Sequence, residues 1–255
     1  MPAPRNTFKA SLLAGKQLAG CWLTLADGYA AEIAGRAGFD WCLIDGEHAP
    51  NDVRSILAQL QTLAGTDTNA LVRPVTGDAN LLKQLLDIGC QSFLVPMVES
   101  GEQAEHLVRA VRYPPAGIRG VGASTARASG FNTFDNYLHT ANDEICLLVQ
   151  VESKAGLDAL DDILQVDGVD GVFIGPSDLS ADMGHLGNPA APEVVAAIAD
   201  ALDRIAAAGK ASGIFALNPD MAKSYFDRGV GFVAVASDVF VMANGLRALA
   251  ARFKR

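Results

Sequence analysis

The chain has 255 residues, half of them hydrophobic and 19% charged, which is enough apolar material for one large buried core. Its formal net charge is −9, so the surface as a whole repels nucleic-acid phosphates and anionic lipid, and neither nucleic acid nor membrane is an expected partner. Cys21, Cys42, Cys90 and Cys146 form no CxxC pair and sit in apolar stretches, as buried reduced thiols of a cytoplasmic protein do. No apolar run reaches signal-peptide or membrane-spanning length, which also points to the cytoplasm.

Eight short, β-branched apolar runs recur along the chain with helix-period segments between them. In order they are LAGCWLT from Leu18, FDWCLID from Phe39, NALVRPV from Asn69, SFLVPMV from Ser92, ICLLVQVE from Ile145, GVFIGPSD from Gly171, SGIFAL from Ser212 and FVAVASD from Phe232. Most are apolar on both faces, which suits parallel strands covered on both sides. Asp27, Asn51, Asp78 and Ser100 are placed to cap the first four helices. Later helices are expected in KAGLDALDDILQ, PEVVAAIADALDRIAAAG, PDMAKSYFDRG and VFVMANGLRALAARF, and glycines 38, 65, 89, 209 and 229 stand where helices end. Eight strands and eight helices at this length predict a single-domain (β/α)8 TIM barrel over residues 1–255. No GxGxxG follows the first strand, so a dinucleotide-binding sheet lacks its fingerprint. Residues 113–143 are an irregular stretch rich in Gly, Ser, Thr and Asn, expected to cover the active site or to touch another subunit.

In such a barrel the chemistry stands at the C-terminal ends of the strands. There the sequence puts Trp22 and Thr24, then Asp45, Glu47 and His48, then Arg73, then Gln150 and Glu152, then Gly175, Pro176, Ser177 and Asp178. Glu152 and Asp178 end neighbouring strands and could hold a hard divalent cation, with water and substrate oxygens completing an octahedron. Each could equally cap the helix that follows it. His48 follows an acidic cluster and suits a general acid or base, or is simply a solvated loop histidine. Arg73 ends an apolar strand, so its guanidinium needs an anion, either Glu47 or the oxyanion of a bound enolate. None of the seven lysines lies in an expected strand; Lys154 comes nearest and belongs to the start of a helix. A Schiff-base mechanism therefore has no natural candidate. Arg119, in the stiff turn YPPAGIRGVG, either anchors an anionic substrate or stabilises its loop.

The strings LIDGEH, VRP, LVPMV, RYPPAGIRG, LVQVE and GVDGVFIGPSDLSADMG resemble the HpcH/HpaI family of class II pyruvate aldolases, in order, from Leu18 to Phe253. The resemblance implies reversible aldol cleavage of 4-hydroxy-2-oxo acids to pyruvate and an aldehyde, of the kind used in aromatic-compound catabolism. It implies Mg²⁺, Mn²⁺ or Co²⁺ at Glu152 and Asp178, Arg73 on the ketone oxygen, and His48 with Asp45 as acid–base groups. It assigns the pyruvate carboxylate to Gln150 and the backbone near Ser177, and the aldehyde side of the pocket to Trp22. It also implies a role for Asp87 and a homohexamer. Asp87 ends a helix, on the barrel face opposite the active site, so it either reaches the mouth of a neighbouring subunit or makes a salt bridge or loop contact at the bottom of its own barrel. The apolar last helix is a plausible exchanged contact. A related enolate-forming lyase, an oxaloacetate decarboxylase and a non-catalytic metabolite-binding barrel are the rival readings.

Overall fold

The structure is a computed structural model that describes residues 1–254, so only Arg255 of the expected domain lies outside the described residues. The eight strands are β1 (Leu18–Leu23), β2 (Trp41–Asp45), β3 (Asn69–Arg73), β4 (Ser92–Val95), β5 (Cys146–Val151), β6 (Gly171–Ile174), β7 (Ala211–Phe215) and β8 (Phe232–Ser237). All pair in parallel in sequence order, and β8 returns to β1, closing the barrel. This is the predicted (β/α)8 architecture.

Twelve α-helices are present among the described residues: α1 (Thr7–Leu13), α2 (Gly28–Gly35), α3 (Val53–Leu63), α4 (Ala79–Asp87), α5 (Gly101–Ala110), α6 (Tyr137–Thr140), α7 (Lys154–Asp158), α8 (Leu160–Gln165), α9 (Pro176–Asp182), α10 (Pro192–Ala207), α11 (Pro219–Asp227) and α12 (Asp238–Ala251). Asp27, Asp78 and Ser100 accept the first-turn N–H groups of their helices, as expected. The third helix differs: its cap is Asp52, reciprocated by Ser55 in a capping box. Asn51 instead donates to the Asp45 carbonyl at 2.7 Å, pinning the chain as it leaves β2. The expected helix over KAGLDALDDILQ breaks at Ala159 into α7 and α8. Glycines 38, 89, 209 and 229 take the left-handed conformation that ends a helix, whereas Gly65 does not.

Two-residue periodicity divides the apolar residues between two cores. Trp41, Leu43, Leu71, Leu94, Cys146, Leu148, Phe173 and Phe232 fill the barrel, while Cys42, Ile44, Val72, Phe93, Leu147, Val149, Val172 and Val233 pack outward against the helices. The Trp41 indole lies where a Cβ on Gly20 would stand, so this strand position admits only glycine. Beneath the strands, α1 inserts Phe8 edge-on to Trp41 and Phe232 and closes the N-terminal end of the barrel. That helix is not legible in the sequence pattern, because it buries only Phe8 and Leu12, too few positions to establish a period. The four cysteines are buried and free, as expected.

Residues 113–143 do not cover their own mouth. They join a helix end to the start of β5, so they run along the barrel's closed end, where Ala3 N–H donates to Thr140 Oγ1 and Arg119 meets Asp87. Of the two roles expected of the stretch, cover for its own site is excluded by this connectivity.

Candidate active site

Strand register builds the centre of the site. Asp45 and Arg73 are directly paired positions on β2 and β3, both pointing into the barrel. Arg73 Nε donates to Asp45 Oδ1 at 2.9 Å and Nη2 to Oδ2 at 2.7 Å, a two-bonded fork buried at both ends. Burial alone would raise the Asp45 carboxyl; the hydrogen bonds and charge of Arg73, with the Glu47 and His48 N–H groups, outweigh it and hold it below the usual carboxylate range. The Arg73 guanidinium lies 5.0 Å from the Trp22 ring centroid. Trp22 in turn packs against Phe173 and Phe215. Trp22 therefore forms a buried floor under Arg73, at the top of the inner core, rather than an open pocket wall.

The expected side-chain dyad of Asp45 and His48 does not form. Asp45 Oδ1 accepts from the backbone N–H of Glu47 and of His48, so it shapes the loop instead of orienting the imidazole. The His48 ring is exposed, with Nε2 3.9 Å from Glu47 Oε2. Glu47 Oε2 also lies 2.9 Å from Arg73 Nη1, an ion pair whose angles fall short of a directed hydrogen bond. Burial pushes the Glu47 carboxyl up, Arg73 and His48 pull it down, and Asp45 and Asp178 raise it again. The sequence offered Glu47 only as one candidate partner for Arg73; in the structure it links Arg73, His48 and the acidic pair.

On the other side, β5 and β6 run side by side, with Val151 opposite Ile174, and bring Glu152 and the first turn of α9 to one rim. Glu152 is buried. Its Oε1 accepts the Met97 N–H at 3.0 Å, and its Oε2 accepts Gln150 Nε2. The amide that the sequence resemblance gave to a substrate carboxylate is thus committed to Glu152, and Gln150 Oε1 is left buried without a partner. Gly175 makes the arrangement possible: a Cβ there would come within 2.8 Å of the Glu152 Cβ. Asp178 and Ser177 lie exposed in the first turn of α9. Met97 and Gly175 had no assigned part in the sequence reading. Gly175 could have been suspected as a glycine at a strand end facing a carboxylate; Met97 carried no signal.

Asp87 and Arg119 belong to a different place. Asp87 ends α4 at the closed end of the barrel, and Arg119 Nη2 donates to its Oδ1 at 2.9 Å. Arg119 is fully buried, stacked 4.2 Å over the Tyr113 ring, with Nε and Nη1 lacking acceptors. It stands far from its own mouth in the topology, and its ion pair with Asp87 ties the 113–143 stretch to the end of α4.

The mouth therefore gathers four carboxylates, Asp45, Glu47, Glu152 and Asp178, around one guanidinium. Burial raises Glu152; Gln150 and Met97 lower it, and the charges of Asp178 and Glu47 raise it again. Among the described residues no group of three or more His, Cys, Asp and Glu is arranged as a closed metal cage. Two carboxylates on one open rim are instead the donor set that a magnesium-like cation accepts when water and substrate supply the remaining oxygens. The uncompensated negative charge at Glu152 fits such a cation. No lysine lies in any of the eight strands, and Lys154 opens α7.

Comparison with known proteins bears on the family of the chain. The profile of the family described as HpcH/HpaI aldolase/citrate lyase matches residues 18–245. The chain is 58% identical over 254 residues to a hydroxypyruvate/pyruvate aldolase of Pseudomonas aeruginosa, covering 100% of this chain and 95% of that one. It is 56% identical over 248 residues to a 4-hydroxy-2-oxo-heptane-1,7-dioate aldolase of Klebsiella pneumoniae subsp. pneumoniae, covering 97% and 94%. The crystal structure of a HpcH/HpaI aldolase/citrate lyase family protein from Burkholderia cenocepacia superposes with a TM-score of 0.93 at 37% identity, covering 98% of this chain and 100% of that one. With a family profile over residues 18–245, near-complete alignment to these relatives and a closed barrel in common, the chain belongs to the HpcH/HpaI aldolase/citrate lyase family of carbon–carbon lyases.

Proposed function

We propose that this enzyme catalyses the reversible aldol cleavage of 4-hydroxy-2-oxo acids to pyruvate, or hydroxypyruvate, and an aldehyde, with a divalent cation held by Glu152 and Asp178. The observation that carries the reading is the charge balance of the mouth. Four carboxylates and one guanidinium would repel a 2-oxo acid anion, so a site for such a substrate requires added positive charge. The cation would supply that charge and act as a Lewis acid toward the substrate's oxygens.

The protein's own groups account for the rest. Arg73 is held rigidly by Asp45 through Nε and Nη2, and its Nη1, 2.9 Å from Glu47 Oε2, would exchange that ion pair for the negative charge developing on the ketone oxygen as the carbon–carbon bond breaks. A donor fixed in advance costs no reorganisation at that moment. His48, exposed at the rim, moves the proton to and from the 4-hydroxyl. Asp45 positions Arg73 and the His48 loop without exchanging a proton itself. Gln150 orients Glu152. Ser177, in the first turn of α9, offers N–H groups to the substrate carboxylate, and Trp22 floors the pocket on the aldehyde side.

The active form is proposed to be a homo-oligomer, with a hexamer as the expected state. Helix α12 buries none of its residues and exposes Val239, Phe240, Val241, Met242, Leu246 and Leu249, an apolar face that a second copy would cover. Asp87 would then serve the mouth of a neighbouring subunit.

Chelation followed by return of Mg²⁺, Mn²⁺ or Co²⁺ tests the assignment, with pyruvate release from 4-hydroxy-2-oxo acids as the readout. Wild-type activity is expected to follow the metal, and Glu152→Ala to release no pyruvate. Undiminished, chelator-resistant release by that variant overturns the reading.

A further inference from the structure

Met97 follows β4 with φ of +54°, a left-handed conformation that a long side chain rarely adopts outside special turns. Such backbone outliers persist only where the surroundings hold them. Here the surroundings are the exit of β5. The Met97 N–H donates to Glu152 Oε1 at 3.0 Å, and the next N–H, of Val98, donates to the Gln150 carbonyl at 3.0 Å. In an extended segment successive N–H groups point to opposite sides; with residue 97 left-handed, both face β5. Gln103 secures the turn from behind, its Nε2 donating to the Met97 carbonyl at 3.1 Å and its Oε1 accepting the Glu99 N–H at 2.9 Å. Ser153 Oγ reaches Glu99 at 2.6 Å and ties the same loop to the residue after Glu152.

We propose that Met97 is a positioning residue for the cation site: its left-handed backbone aims an N–H at Glu152, fixing one carboxylate oxygen so that the group is presented in a single orientation. The side chain of residue 97 is incidental to this role, and what matters is that the position tolerates a positive φ and keeps its N–H. The proposal rests on the metal reading above and gives a role to a residue that lies within the LVPMV string but had none assigned. Outer-sphere groups that orient a metal-binding side chain commonly alter affinity by roughly 10- to 100-fold.

The test uses full-length protein stripped with a chelator and titrated with Mn²⁺, the free ion being read by electron paramagnetic resonance. Thermal melting monitors folding. Met97→Gly keeps the N–H and the left-handed turn, and is expected to bind Mn²⁺ within about twofold of wild type. Met97→Val disfavours positive φ and is expected to bind roughly tenfold more weakly. Equal affinity in Met97→Val and wild type overturns the proposal, as does an equal loss in Met97→Gly and Met97→Val. Should the valine variant not fold, Gln103→Leu decides: it releases the Met97 carbonyl and is expected to weaken Mn²⁺ several-fold, and an unchanged affinity overturns the proposal. Failure of the wild-type protein to bind Mn²⁺ defeats the metal reading itself, and this proposal with it.

Discussion

Asp45 and Arg73 face each other across β2 and β3 and share two hydrogen bonds, of 2.9 and 2.7 Å, inside the barrel mouth. Removing one partner leaves the other charge buried and unpaired. Arg73→Ala is therefore expected to abolish aldol cleavage and also to destabilise the fold by about 3–5 kcal/mol. Urea denaturation of both proteins measures it, and a variant as stable as wild type contradicts the buried pairing.

The same pair sets an acid limit. Because Asp45 is held below the usual carboxylate range, its contribution to stability is fully present above the ordinary aspartate value of about 4 and is lost as pH falls through the lower folded value. Asp45→Asn removes this titration. Unfolding midpoints measured from neutral to strongly acid pH are expected to show a gap between wild type and Asp45→Asn that narrows only below about pH 4. A gap that stays constant through that range counts against the assignment.

Gly175→Ala puts a methyl group against Glu152. Its expected effect is weaker divalent-cation binding and loss of pyruvate release, with the barrel still folded. Calorimetric titration of the apo-protein with Mg²⁺ or Mn²⁺, beside circular dichroism, separates local displacement from unfolding, and normal cation affinity would refute the steric argument.

Substituting Val241, Leu246 and Leu249 on α12 by glutamate is expected to reduce the assembled mass with the barrel still folded by circular dichroism, since those side chains are exposed within one chain. Light scattering reads the mass. An unchanged oligomer would mean that α12 is not the contact, and a monomeric wild type would remove the basis for giving Asp87 a role across subunits.

The barrel was legible because its information is local and periodic. Each strand is a short apolar run, and α2, α4, α5 and α11 follow side-chain caps written just before them. The site was legible only as a set of residue types at strand ends. Which of them pair depends on register between strands, which neighbouring letters do not encode: Asp45 lies next to His48 in sequence but opposite Arg73 in space. Gln150 looked free for substrate because nothing in LVQVE shows that its amide turns to Glu152. Met97 escaped notice for another reason, since positive φ is ordinarily announced by glycine. The N-terminal helix and the course of residues 113–143 under the barrel are set by tertiary docking, through contacts such as Asn6 Nδ2 to Ser92 Oγ at 2.9 Å.

That docking gives the molecule a fixed polarity. With Phe8 sealed under Trp41 and Phe232 and the Ala3 N–H bound to Thr140, the first residues emerge on the closed end, while substrates enter at the other. A tether joined to Met1 would therefore hold each chain by the end of the barrel opposite its own mouth.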